Sequence, residues 1–252
     1  MRTSPFFALA LAVMSSVAWS EEAAPEIKNI VIVHGAFADS SGWRAVTDIL
    51  EKEGFKVSLV QNPITSLQDD VDATHRILEM QDGPAILVGH SYGGVVITEA
   101  GNHPNVAALV YVAAYQPEKG ESLITLVTET PGPSREIRAT KDDKFLYLDP
   151  AAFGRDFAAD VPAADSAFMA KSQVLASKAA FSTPVGEPAW RNKKSWAIVA
   201  TNDRTISPAL ERRLAARAGS KVVEIPSSHA VFLSQPGKVA QVVATAAREA
   251  RR

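Results

Sequence analysis

The stretch ILVGHSYGGVV, residues 86 to 96, sets an apolar run against a lone serine, Ser91, with glycine two positions away on either side. Ile86, Leu87 and Val88 suit a strand buried on both faces, and Val95, Val96 and Ile97 open a helical stretch. Between them Gly89-His90-Ser91-Tyr92-Gly93 must turn the chain sharply. Glycines flanking the serine remove side chains that would collide in a tight strand-to-helix turn, and Gly94 lets the helix pack closely on the sheet. The pentapeptide G-x-S-x-G alone is a weak signal. Its setting between a strand and a helix makes Ser91 a candidate nucleophile, with the N–H groups and positive dipole of the helix aimed at any anion forming beside it.

Working outward, short apolar runs alternate with amphipathic stretches. IKNIVIVHG reads as a buried strand, followed by a helix with Trp43, Val46, Ile49 and Leu50 on one face that closes at Gly54. FKVSLV is a strand, Ser66 caps a helix through LQDDVDATHRILEMQ, and AILVG, VVITEAGN and VAALVYVAAY continue as strand, helix and strand. SWAIVAT and KVVEI are later strands, separated by a helix with Pro208 near its start and Gly219 near its end. The last helix buries Val239, Val242, Val243 and Ala246. This order predicts an α/β fold with a mostly parallel sheet and right-handed crossovers. Residues 117 to about 190 break the alternation with Pro, Gly, charge and Ala-rich pieces, and read as an inserted helical cap.

A serine hydroxyl needs a base, and the base needs an orienting acid. Downstream of Ser91 the histidines are His103 and His229. His103, in GNHPNV, falls at the wrong edge of the sheet and reads as a loop residue. His229 follows the last strand and shares the C-terminal edge with Ser91. Asp203, two residues past SWAIVAT, reaches the same edge and is the preferred acid; Glu118, after VAALVYVA and beyond a proline, is the alternative. Two backbone donors for an oxyanion are expected at Tyr92, next to the serine, and at Ala36, where Gly35 in HGAF turns the chain. His34 reads as a brace for that loop, His75 as structural, and His90 as the variable residue of the turn. Phe37, Trp43, Phe145, Tyr147 and Phe153 are candidates for an apolar or aromatic pocket.

Composition narrows the classes. At 252 residues and 46% hydrophobic content the chain can bury a large core, and its net charge of −2 argues against a nucleic-acid partner and for a small substrate. The absence of cysteine excludes disulfides and thiolate metal sites, and five scattered histidines suggest neither a metal nor another cofactor. Residues 1–20, with Arg2, the apolar PFFALALAVM and Ala18-Trp19-Ser20, read as a secretory signal peptide cut before Glu21, leaving residues 21–252 as a secreted or periplasmic domain. The apolar run is short of the ~20 residues a spanning helix needs, so no membrane span is expected after cleavage.

With VHGAF, GHSYGG, TNDRTI and SSHAVF in this order, the chain resembles the α/β-hydrolase superfamily over nearly all of residues 21–252. HGAFADSSGW, QNPITSLQDDV and VYVAAYQPEKGES extend the resemblance to small esterases related to plant methylesterases and hydroxynitrile lyases. The resemblance implies a sheet of about six strands with helices on both faces and a cap before the late strands. It also implies a Ser91, Asp203 and His229 triad, with Ala36 and Tyr92 as oxyanion donors. The lysine near the catalytic histidine and the first-loop threonine of the lyases are missing, which disfavours cyanide elimination. NPITSLQ replaces the P-G-x-G-x-S of lipase-like and dehalogenase-like branches. The implied activity is carboxylic ester hydrolysis; a lactonase, thioesterase, amidase or cofactor-free perhydrolase with the same triad, and a silent binding protein on this scaffold, are the alternatives.

Overall fold

The computed structural model describes Met1 and residues 26–250; the expected signal peptide lies, but for Met1, outside them. Nine strands are described. Six of them, β1 (Asn29–Val33), β2 (Lys56–Val60), β3 (Ala85–His90), β4 (Val106–Val112), β8 (Ser195–Ala200) and β9 (Lys221–Ile225), form one sheet in the order β2-β1-β3-β4-β8-β9. All of its neighbours pair in parallel. The inner strands are buried almost throughout, while of the edge strands β9 is largely exposed and β2 half-buried. That is why the inner strands read as unbroken apolar runs: helices cover both faces and leave no polar side to alternate with.

The helices follow the expected periods. α1 (Arg44–Lys52) buries Val46 and Leu50 and packs on α10 (Pro236–Glu249), which buries Val239, Val242, Val243 and Ala246. α2 (Leu67–Glu79) packs on α3 (Gly93–Ala100), and Ser66 caps α2 by accepting from the Asp69 N–H at 3.0 Å. α8 (Pro208–Arg217) has proline in its first turn, and Gly219 follows it with a φ of 66°. Because β2 and β3 lie on opposite sides of β1, the chain reverses its progress across the sheet there, opening a crevice at the C-terminal ends of β1 and β3.

The segment between β4 and β8 departs from the helical cap expected over residues 117–190. It carries α4 (Leu123–Glu129), α5 (Pro150–Asp156), α6 (Ala163–Lys171) and α7 (Lys178–Ser182), together with an antiparallel sheet of β5 (Ile137–Ala139), β6 (Phe145–Leu148) and β7 (Ala176–Ser177). These strands are two to four residues long, too short for a period-2 signal to emerge from an Ala-rich background. Among the described residues no helix is long and apolar enough to cross a membrane.

Candidate active site

Ser91 follows β3 directly and takes a φ of 53°, the left-handed conformation that a non-glycine residue adopts only under constraint. The constraints are visible. The Ser91 N–H is shared between the carbonyls of Val112 and Ala113, each at 3.2 Å, and its carbonyl accepts from Gly94 at 3.0 Å and Tyr115 at 3.3 Å. A Cβ on Gly89 would lie 2.5 Å from the Gly93 carbonyl oxygen, and one on Gly93 would lie 2.5 Å from that of Val33. The flanking glycines are therefore a packing requirement. A third close approach joins the first loop to the turn: a Cβ on Gly35 would sit 2.7 Å from the Ser91 Cβ.

That first loop is held by His34. Its Nε2 accepts the Asn62 N–H at 2.9 Å, so Nδ1 carries the hydrogen and donates to the Gly35 carbonyl at 2.8 Å, while the Asn62 amide returns a bond to the His34 carbonyl. Burial lowers the His34 pKa, which keeps the brace neutral. Among the described residues, no protein acceptor engages the backbone N–H of Ala36 or of Tyr92.

Beyond β8 and β9, Asp203 and His229 meet. His229 Nδ1 donates to Asp203 Oδ2 at 2.6 Å, with both side chains fully buried. Asp203 Oδ1 accepts the N–H groups of Thr205 at 2.7 Å and Ile206 at 2.9 Å, so the carboxylate is anchored at both oxygens. His229 Nε2 is buried with no protein partner, leaving its lone pair available. The His229 carbonyl accepts from His90 Nε2 at 3.0 Å, and the Phe157 ring meets the His229 ring edge-on at 4.7 Å. His90 is thus a brace for the histidine loop, and burial together with the nearby His229 drives its pKa well below the usual imidazole value. Glu118, the alternative acid, is instead engaged by Arg191 Nη2 at 2.7 Å.

A cavity of about 280 Å³ opens over Ser91. Ala36, Phe37 and Tyr92 line it, with Leu123, Ile124 and Val127 of α4 and Phe181 of α7 forming an apolar wall. Four expected lining residues are corrected. Trp43 is fully buried, stacked on Phe232 at 4.8 Å, because the face it shares with Val46 and Leu50 turns into the core. Phe145 and Tyr147 flank Leu146, which is the β6 residue that lines the cavity; alternation along a strand sends its neighbours to the other face. Phe153 stacks on Phe157 at 4.8 Å in the core. His75 and His103, read separately, have rings 5.2 Å apart, away from Ser91.

The sequence reading also missed residues that secure the site. Asp70, fully buried on α2, accepts the Tyr92 hydroxyl at 2.6 Å and the Ile64 N–H at 2.8 Å. Burial, outweighing these two bonds, pushes its pKa up to about 6. In the cap, Asp160 accepts the Ser228 N–H at 3.1 Å and the Ser228 hydroxyl, and the Phe157 carbonyl accepts from Ala230 at 2.9 Å, so the residues on both sides of His229 are tied to the cap. The only signal for Asp70 was its place in the Gln68-Asp69-Asp70-Val71 run, where a buried carboxylate looks like a solvated helix residue.

The match to the family model described as "Alpha/beta hydrolase family" runs over residues 30–242, from β1 into α10. The chain belongs to the alpha/beta hydrolase family. It is 26% identical over 249 residues to an alpha/beta hydrolase of Aspergillus novofumigatus, covering 88% of this chain and 97% of that protein. It is 27% identical over 252 residues to a pyrethroid hydrolase of Sphingobium wenxiniae, covering 86% and 87%. A carbendazim hydrolyzing esterase of a Nocardioides species is 32% identical over 113 residues, 39% of this chain and 47% of that protein. Among solved structures, a pyrethroid hydrolase from Sphingobium faniae superposes with a TM-score of 0.76 at 24% identity, covering 88% of this chain and 98% of its own. Polyneuridine aldehyde esterase does so at 0.73 and 20%, covering 87% and 99%. At these identities the superpositions bear on the fold of this hydrolase-family chain, which they share along almost their full length.

Proposed function

We propose that this protein is a serine hydrolase that cleaves carboxylic esters of small, apolar or aromatic substrates through an acyl-serine intermediate. The observation that carries the reading is the cavity over Ser91: it is lined by Ala36 and Tyr92, whose amides are unengaged, and walled by aliphatic and aromatic side chains. The buried Asp203–His229 pair, with its free Nε2, supports it. Membership of the hydrolase family and the esterase names of several relatives agree.

In this mechanism Ser91 Oγ attacks the ester carbonyl carbon as His229 Nε2 takes its proton, and Asp203 stabilises the imidazolium through Nδ1. The carbonyl oxygen, now an anion, receives the Ala36 and Tyr92 N–H groups, which need no reorganisation because the loops are already braced by His34 and Asp70. The imidazolium returns its proton to the leaving alcohol, and water, deprotonated by the same nitrogen, releases the acid from the acyl-serine. We also assign residues 1–20 to export, with the protein acting as a secreted or periplasmic enzyme; amino-terminal sequencing of exported protein should begin at Glu21.

Purified protein should label with a fluorophosphonate and hydrolyse a panel of p-nitrophenyl and methyl esters. Ser91→Ala should abolish labelling and lower kcat by at least about a thousandfold. A wild type that neither labels nor exceeds Ser91→Ala on any ester refutes the reading.

A further inference from the structure

Glu211 is a buried carboxyl group that the mechanism above leaves unused. It lies in the first turn of α8 at 3% exposure, folded back onto the end of β8. Oε2 accepts the Ala200 N–H at 3.3 Å, a long bond, and Oε1 has no partner. The carbonyl of Ala200 in turn accepts the Asp203 N–H at 3.1 Å, so the two acids are attached to the two sides of one residue, close enough for the carboxyl of Asp203 to act on that of Glu211. The other groups around Glu211 do not neutralise it. Arg212, next on α8, turns its guanidinium outward to grip Glu224 of β9 at 2.7 and 2.8 Å. Tyr115, from the loop after β4, is buried near both acids, and its hydroxyl is held protonated by burial and by the charge of Asp203. His229 is reached only through Asp203.

Two adjacent buried carboxylates cannot both stay ionised at low cost, so one holds a proton. The hydrogen bonds decide which. Asp203 accepts three, from Thr205, Ile206 and His229, all between 2.6 and 2.9 Å, so both of its oxygens already face donors. Glu211 accepts a single long one, and burial followed by the charge of Asp203 raises its pKa well above the usual carboxylate range. A neutral Glu211 then has an O–H that must find an acceptor, and Asp203 is beside it.

We propose that Glu211 is a positioning residue: as a neutral carboxylic acid it donates a hydrogen bond to Asp203 and holds the carboxylate in the orientation that receives the His229 Nδ1 proton. The role rests on the assignment of Asp203 and His229 as the acid and base of the hydrolase. It accounts for the unpartnered Oε1, since that atom carries or faces the shared proton. It also predicts which substitution is tolerated. Glutamine keeps the donor and the shape, whereas leucine keeps the volume and removes the donor, leaving Asp203 with one anchor fewer.

Three measurements test this. The infrared spectrum of wild type at pH 8 should contain a protonated-carboxyl band that is missing in Glu211→Gln, a readout independent of activity. The downfield Nδ1 proton resonance of His229 should move in Glu211→Leu and return to the wild-type position in Glu211→Gln. Glu211→Leu should lose about ten- to a hundredfold in kcat with KM little changed, and Glu211→Gln should restore most of it. Absence of the band at pH 8, or a Glu211→Leu variant with unchanged His229 resonance and wild-type kcat, overturns the proposal. Failure of the hydrolase reading shows elsewhere, as a wild type inert toward every ester and the fluorophosphonate.

Discussion

Ser91 holds a conformation that glycine adopts freely and serine does not, and at a turn of this kind the strain costs about 1–2 kcal/mol. Ser91→Gly should therefore raise stability by ~1 kcal/mol, or Tm by about 2–4 °C for a chain of this length, while removing all esterase activity. Calorimetry beside an ester assay checks both halves, and a destabilised glycine variant would count against stored strain. Asp70 makes a second residue-level prediction. Its carboxyl is raised from 3.8 to about 6, so between those values the folded state binds more protons than the unfolded chain. The stability that Asp70 contributes is complete below pH 4 and falls, by on the order of 3 kcal/mol, as pH rises to about 6. A carbon-detected titration of the Asp70 carboxyl should have its midpoint near 6; a midpoint near 4 would show that the two hydrogen bonds outweigh burial. At this scale the serine and histidine were legible because their neighbours in the chain announce them. Asp70 and Glu211 were not, since a carboxylate buried on a helix is spelled like one in water.

Elements carry the next set of constraints. α5 ends in Asp156, whose buried side chain accepts from Arg155 at 2.7 and 2.8 Å, Arg204 at 3.0 Å and the Ser134 hydroxyl at 2.8 Å, while its carbonyl accepts from Thr205. One residue of the cap thus grips the loop that presents Asp203. The bond from Arg155, with further help from Arg204 and Ser134, depresses the Asp156 pKa far below 3.8. A depressed carboxylate contributes its stability above its unfolded pKa and loses it as pH falls toward the folded value. Asp156→Asn should cost roughly 1–3 kcal/mol at pH 7, discounted because both guanidinium groups are about half exposed, and the gap from wild type should begin to narrow as pH falls below about 4. Denaturant titrations across that range decide it. The strands and helices of the main sheet were readable because each is long enough to show a period and ends at Gly, Pro or a capping Ser. The cap's β5, β6 and β7 were not, being two to four residues long, and β7 pairs with β6 from about thirty residues further along the chain.

Across the whole molecule, the strand order brings the ends of β1, β3, β8 and β9 to one edge, and the cap closes over that edge as an apolar wall. If this cavity seats the substrate, its size sets selectivity. Ile124, on α4 and 43% exposed, can be changed without opening the core. Ile124→Trp should lower kcat/KM for a bulky aromatic ester by about tenfold while a p-nitrophenyl acetate loses little. Equal losses on both esters would place the substrate elsewhere.

By itself the sequence determined the parallel sheet, the strained serine turn and the carboxylate-then-histidine order, because these depend on local periods, on glycines at contact points and on which residues end a strand. Tertiary structure alone decided that Leu146, not Phe145 or Tyr147, lines the cavity over Ser91, that Asp156 and Asp160 tie the cap to the loops bearing Asp203 and His229, and that Glu211 lies beside Asp203. Each of those depends on how segments pack in three dimensions, and burial, which raises the pKa of a carboxyl group, has no signature in neighbouring residues.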